Sequence, residues 1–255
     1  MDLNNVAVAI RPRNRWEAID LGFRMAREYW RPLFGAWICV FVPLVLLIHG
    51  LLADHPGWAL VAIWWLKPIA DRVLLLVLSR AVFGAVPTVR EALKALPGAL
   101  RNGAVHALTF ARLDLARSFN LPVWQLEGLK GKIRRQRIRT LERRTRGAAV
   151  WNSVACWHLE GAIFFGLCSL TLSMIPPQFV ETFDLWQWFT SMPLWLELTR
   201  NAFYVLAVLI VEPFFVAAGF CLYLNRRIVL EGWDIEIVFR RMAPRLASSS
   251  ASVTS

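Results

Sequence analysis

Four apolar runs, each long enough to cross a lipid bilayer, constrain this chain more than any other feature. A spanning helix needs about 20 mostly apolar residues. The runs LFGAWICVFVPLVLLIHGLLA (33–53), WALVAIWWLKPIADRVLLLVLSRAVF (58–83), AAVWNSVACWHLEGAIFFGLCSLTLSMI (148–175) and NAFYVLAVLIVEPFFVAAGFCLYL (201–224) all meet that length. Composition agrees: 57% of the residues are hydrophobic and the mean hydropathy is +0.46, where soluble domains lie nearer 45–50% apolar. Thirteen tryptophans suit a chain whose apolar bodies meet a wet edge. The expected fold is an all-α integral membrane protein, one domain over 1–255, with four transmembrane helices and amphipathic interfacial helices.

The basic residues orient these spans. Of the 29 Lys and Arg, 25 lie in 1–32, 84–147 and 225–255, and one, Arg200, lies in the links 54–57 and 176–200. Lysine and arginine favour the cytoplasmic side, so both termini and the middle segment are expected inside and the two links outside. The net charge of +11 is then information about topology, and nucleic acid is not expected as a partner. The basic arm KGKIRRQRIRTLERRTR (130–146) carries no aromatics on which bases could stack. Its residues Lys130, Lys132, Arg134, Arg135, Arg137 and Arg139 are expected to meet anionic lipid headgroups beside a span, with a protein partner as the competing use.

Amphipathic flanks complete the layout. Trp16, Ile19, Phe23, Ala26 and Trp30 recur at helical spacing, which predicts a helix lying on the inner surface or against the bundle. Thr88 is placed to cap a helix over 87–100. The stretch RSFNLPVWQLEGL (117–129) reads as apolar and irregular, packed under the bundle in preference to presenting a docking surface. Trp186, Trp188 and Trp195 predict an interfacial helix in the outer loop 176–200. GWDIEIVFRRM (232–242) reads as a further amphipathic helix, and ASSSASVTS as a disordered tail.

Ionisable residues inside the apolar runs carry the functional question. They are Lys67, Asp71, Arg72, His158, Glu160 and Glu212. A charge within the bilayer is costly, so such a set is either a proton, ion or substrate site or polar glue between helices. Pro68 and Pro213 each follow a charged residue, and each deprives a carbonyl four residues back of its helical donor; in lipid that carbonyl must find a partner inside the protein. Pro213 is expected to kink its span, leaving the Leu209 carbonyl in need of a donor. Glu212 is expected to face the interior with Lys67 or Arg72 as its partner, while Asp71 competes for Lys67 along its own helix. His158 and Glu160 are two apart and face different sides. Placing Lys67-Pro68 over Glu212-Pro213, an offset of 145, also sets Glu91 over Glu236. That raises a parallel two-span duplication, against the alternative that any two spans followed by basic helices look alike.

No HExxH, GxSxG, Walker or GxGxxG motif occurs, so no catalytic, metal-binding or cofactor-binding residue is expected. Cys39, Cys156, Cys168 and Cys221 all sit in apolar runs without metal or redox spacing, as small hydrophobes do.

The two ends of the chain carry a resemblance. Arg11, Pro12, Glu17, Ala18, Ile19, Asp20, Phe23 and Arg24 open it. Tyr223, Arg226 or Arg227, Glu231, Gly232, Asp234 and Glu236 close it. In these motifs the chain resembles bacterial multi-span proteins similar to the membrane domain of some glycerophosphoryl diester phosphodiesterases, of the kind often encoded beside MoxR-type ATPases. The phosphodiesterase catalytic domain has no counterpart here, so its activity does not carry over. The resemblance implies an inner-membrane location and a helper or assembly role. The expected function is a non-enzymatic membrane component or scaffold of a larger assembly, with a membrane or cytoplasmic protein as partner. The rival is a small transporter or channel working through the polar set around Glu212. The oligomeric state is open.

Overall fold

The computed structural model describes residues 11–101, 107–174 and 193–232. Among these residues the protein is all-helical, with eight α-helices and no strand. They are α1 (Arg15–Glu28), α2 (Trp30–Leu51), α3 (Pro56–Ala81), α4 (Val89–Arg101), α5 (Arg117–Gln125), α6 (Gly131–Glu142), α7 (Arg146–Ser173) and α8 (Leu194–Glu231), with a 3₁₀ turn at Phe110–Leu113 before α5. The outer-loop residues Trp186 and Trp188, the segment 233–242 with Glu236, and the tail lie outside the described residues.

Three helices are long and apolar enough to cross a membrane: α2, α7 and α8. The 26-residue α3 has the length, but Lys67, Asp71, Arg72 and Arg80 interrupt its apolar character. The environment of α3 explains how these charges are tolerated. Trp58, Val61, Trp64 and Trp65 in its first half are exposed, as lipid-facing side chains are, whereas everything from Ala70 to Leu78 is buried against other helices. The 38 residues of α8 extend about 57 Å at 1.5 Å per residue, far more than a hydrocarbon core of about 30 Å. The helix divides in the same way, exposing Leu194, Trp195, Leu198, Leu206 and Ile210 and burying nearly all of Val211–Asn225. It continues unbroken through Pro213.

Close helix approach accounts for the buried half of α8. Its small residues Ala217, Ala218 and Gly219 are enclosed on two sides. A Cβ on Gly22 of α1 would overlap the Ala218 backbone, and one on Gly219 would overlap Ser118 of α5. The partner face of α1 is therefore Ala18, Gly22 and Met25 with Ile19 and Ala26. The sequence-based stripe is met in part: Ile19 and Ala26 are buried and Phe23 packs against the core, but Trp16 and Trp30 are exposed, because a tight crossing selects small residues rather than large apolar ones. Reciprocal hydrogen bonds between the Arg13 backbone and the Asn225 amide (2.8 and 2.9 Å) fix the start of α1 on α8.

Two further local expectations are decided by geometry. Thr88 does cap α4, and in both directions: Glu91 N–H donates to the Thr88 hydroxyl (3.3 Å) and Thr88 N–H to the Glu91 carboxylate (3.1 Å), a capping box. The 117–129 stretch is not irregular. Its first nine residues form α5, and every one of them is buried despite Pro122. Tertiary burial has overridden weak local propensity.

Candidate functional site: a charge chain and its cavity

The ionisable residues meet where the exposed and buried halves of α3 and α8 join. Glu160 (α7), Lys67 (α3), Glu212 (α8), Arg117 (α5) and Asp71 (α3) form a chain of alternating sign. Lys67 Nζ lies 3.0 Å from Glu160 Oε1 and 2.5 Å from Glu212 Oε2. Arg117 Nη2 lies 2.9 Å from Glu212 Oε1 and 3.5 Å from Asp71 Oδ2. Glu212 is fully buried, and Lys67, Asp71 and Arg117 are nearly so. Ionised side chains can be held in such a place only when paired and hydrogen-bonded.

The expected Lys67–Glu212 pair is present. The second cation is not Arg72, however, but Arg117, and Arg72 donates to the Ala99 carbonyl at 2.8 Å. Asp71 does not compete for Lys67 either, because Arg117 holds it. His158 stands apart from the chain, exposed, with Nδ1 2.8 Å from the Val154 carbonyl, while Glu160 turns inward. Arg117 and Arg112 are the residues that sequence reasoning missed. Burial opposes the charge on Arg117, yet Asp71 and Glu212 hold its guanidinium above the ordinary arginine value.

Proline chemistry accounts for Arg112. Pro68 leaves the Trp64 carbonyl without its helical donor, and Arg112 Nη2 donates to that carbonyl at 2.6 Å. The guanidinium also lies 4.0 Å from the centre of the Trp64 ring, a cation–π arrangement. Burial, and then the neighbouring Arg117, pull Arg112 down to about 10, so it remains charged at neutral pH. Asn152 of α7 completes the junction, donating to the Ser118 hydroxyl and the Phe215 carbonyl, both at 3.3 Å.

A cavity of about 360 Å³ opens beside this chain, lined by Lys67, Arg112, Arg117, Glu160 and Glu212 and walled by Trp64, Leu113, Leu115, Trp157 and Phe215. Among the described residues no group of His, Cys, Asp and Glu is suited to a metal ion. The site is built for charge pairing beside an apolar space.

The basic arm forms α6, and its residues divide. Lys130, Lys132, Arg135 and Arg139 are exposed, and Arg134 is half-buried. Arg137 is turned inward, 3.0 Å from Glu127 and 2.5 Å from Glu231. These two carboxylates hold its guanidinium above the ordinary arginine value against the effect of burial. Tyr223 of α8 donates to the same Glu127 at 2.7 Å. Arg137 is thus a tie between α6 and α8, not one of the outward-facing cations.

Comparison of the chain with protein-family models, with curated proteins and with solved structures finds no match.

Proposed function

We propose that this protein is a four-span, non-enzymatic protein of the bacterial inner membrane, with both termini cytoplasmic, serving as the membrane component or scaffold of a larger assembly. The closed charge chain carries the reading. Glu160, Glu212 and Asp71 are each held by Lys67 or Arg117, which is how a bundle is locked. An ion or proton path needs groups free to release and rebind their cargo. The parallel register of α3 and α8 supports counting α3 as the fourth span: the Asn201 amide donates to the Pro56 carbonyl at 2.8 Å, and Lys67 meets Glu212 eleven residues further along both helices. The same offset of 145 is the one on which a two-span duplication would rest. The exposed cations of α6 suit anionic lipids, and a protein partner in the membrane or cytoplasm belongs to this reading. Membership in the family that the two chain ends resemble is part of the same proposal.

A small transporter or channel is the second reading, favoured by the cavity that reaches Lys67 and Glu212. Reconstitution separates the two. A scaffold in proteoliposomes gives no proton or ion uptake that depends on Glu212, and chemical crosslinking in native membranes joins it to a partner in fixed stoichiometry. Uptake abolished by Glu212→Gln in a variant that still folds would replace the scaffold with the transporter.

A further inference from the structure

The geometry points to a ligand for the cavity itself: the acidic headgroup of a membrane-borne acyl amphiphile, carboxylate or phosphate, held by Arg112, with its acyl chain leaving between Trp64 and Trp157. The first argument is charge. Three cations line the cavity. Lys67 and Arg117 are each committed to two carboxylates. Arg112 has no carboxylate within ion-pair distance among the described residues, although it is only 7% exposed. Its Nε is buried without a hydrogen-bond partner. The Trp64 carbonyl and ring are neutral acceptors, so they leave the full positive charge in place. Asp71 and Glu212 act on Arg112 from beyond ion-pair distance, so an anion bound directly at its guanidinium makes a charge-assisted contact that no carboxylate of the chain makes.

The second argument is the arrangement of the lining. Of its charged members Lys67, Arg112, Arg117 and Glu212 are buried and Glu160 and Asp114 half-buried, whereas the apolar Trp64, Leu113, Leu115 and Trp157 are exposed. A charged floor behind an apolar rim matches an amphiphile inserted headgroup first. A water-soluble anion would need a polar route to the floor. The volume of about 360 Å³ falls within the usual range for small-molecule sites, roughly 300–1,000 Å³. The acids of the lining are directed at partners other than Arg112. Lys67 holds Glu160 and Glu212, and Asp114 accepts from Ala116 N–H (3.0 Å) and the Asn120 amide (2.7 Å) with Arg146 at 3.7 Å.

This inference rests on the membrane-embedded reading but is tested apart from it. The full-length protein, in micelles of a neutral detergent, is exposed to a diazirine-bearing palmitic acid or to the matching diazirine-bearing hexadecanol, and labelled residues are mapped by mass spectrometry. The acid should label Trp64, Leu113, Leu115 or Trp157 about tenfold more than the alcohol, the effect of one charge-assisted hydrogen bond. Arg112→Gln removes the charge, so it should erase the preference, and Arg112→Lys should keep part of it. If Arg112→Gln does not fold, Trp157→Ala, an exposed rim change, should reduce acid labelling without altering stability. Equal labelling by acid and alcohol would overturn the proposal, leaving Arg112 as a donor to the Trp64 carbonyl alone. Loss of labelling to excess inorganic phosphate or acetate would overturn the amphiphile in favour of a soluble anion. An error in topology would show in whole-cell labelling and leave this result unchanged.

Discussion

The Lys67 ammonium lies 2.5 Å from one Glu212 oxygen, while the Arg117 guanidinium lies 2.9 Å from the other. One buried carboxylate therefore joins the two parallel helices α3 and α8 and ties both to α5. Removing its charge leaves two cations with fewer counterions. Glu212→Gln is expected to lower stability in detergent by about 3 kcal/mol, the scale for breaking a buried pair from one side. Combining it with Lys67→Met removes a cation that has lost one of its two carboxylates and should recover part of that loss. A double-mutant cycle by thermal unfolding reads the coupling. Additive losses would mean that the two groups do not interact.

The crossing of α1 and α8 gives two glycine substitutions of opposite sign. A Cβ at Gly22 overlaps the Ala218 backbone, which cannot yield as a flexible side chain would, and a Cβ at Gly161 in α7 meets nothing within 4 Å. Gly22→Ala should cost about 1–3 kcal/mol through overpacking. Gly161→Ala should stabilise by up to about 1 kcal/mol through helix propensity alone. Thermal unfolding of both variants in one detergent checks the contrast, and equal shifts would contradict the close approach.

The apolar runs made the long helices legible, and the cost of a buried charge made Lys67 and Glu212 legible as a pair. Arg112 and Arg117 were hidden by the charge count from which an orientation was expected, since it treats every arginine as facing water. A signal was present: Arg112, Asp114 and Arg117 are spaced through the apolar stretch ALTFARLDLARSFNLPVW, which a solvated basic segment would not need. The α1 face was read only in part, at Ile19, Phe23 and Ala26, for a related reason. Periodicity finds large apolar residues, but a helix crossing governed by backbone approach is written in Ala18 and Gly22. The enclosure of Asp71 and Arg72 depends on what α4 and α5 cover, which no local pattern carries.

The outward cations of α6 and its inward Arg137 should separate by experiment. Juxtamembrane basic residues contribute about 1 kcal/mol each near an anionic surface. Replacing Lys132, Arg135 and Arg139 together with glutamine should reduce the anionic lipid that co-purifies with the protein, as measured by lipid mass spectrometry. Arg137→Gln should leave the lipid content near its original value. It should instead speed amide hydrogen exchange across α6, because the Glu127 and Glu231 contacts are lost. Loss of lipid from Arg137→Gln alone would reverse this assignment.

Helix direction supplies the last prediction. Phe34 packs edge-on against Phe214 at 6.0 Å, and His49, fifteen residues along α2, meets Asn201 at 3.3 Å, so α2 runs antiparallel to α8. Asn152 meets the Phe215 carbonyl, while Glu160 further along α7 shares Lys67 with Glu212, so α7 is antiparallel to α8 as well. Two helices that cross a membrane in the same direction require the chain between them to return. Of the helices between α2 and α7, α3 has the length to do so, about 39 Å for its 26 residues. With the four native cysteines replaced by alanine, a cysteine at Asp54, in the turn between α2 and α3, should react with a membrane-impermeant maleimide in whole cells. A cysteine at Lys132 in α6 should react only after the cells are opened. Reaction at Lys132 from outside would mean that α3 does not cross, that Lys67 and Glu212 are paired in a re-entrant fold, and that the four-span topology is wrong.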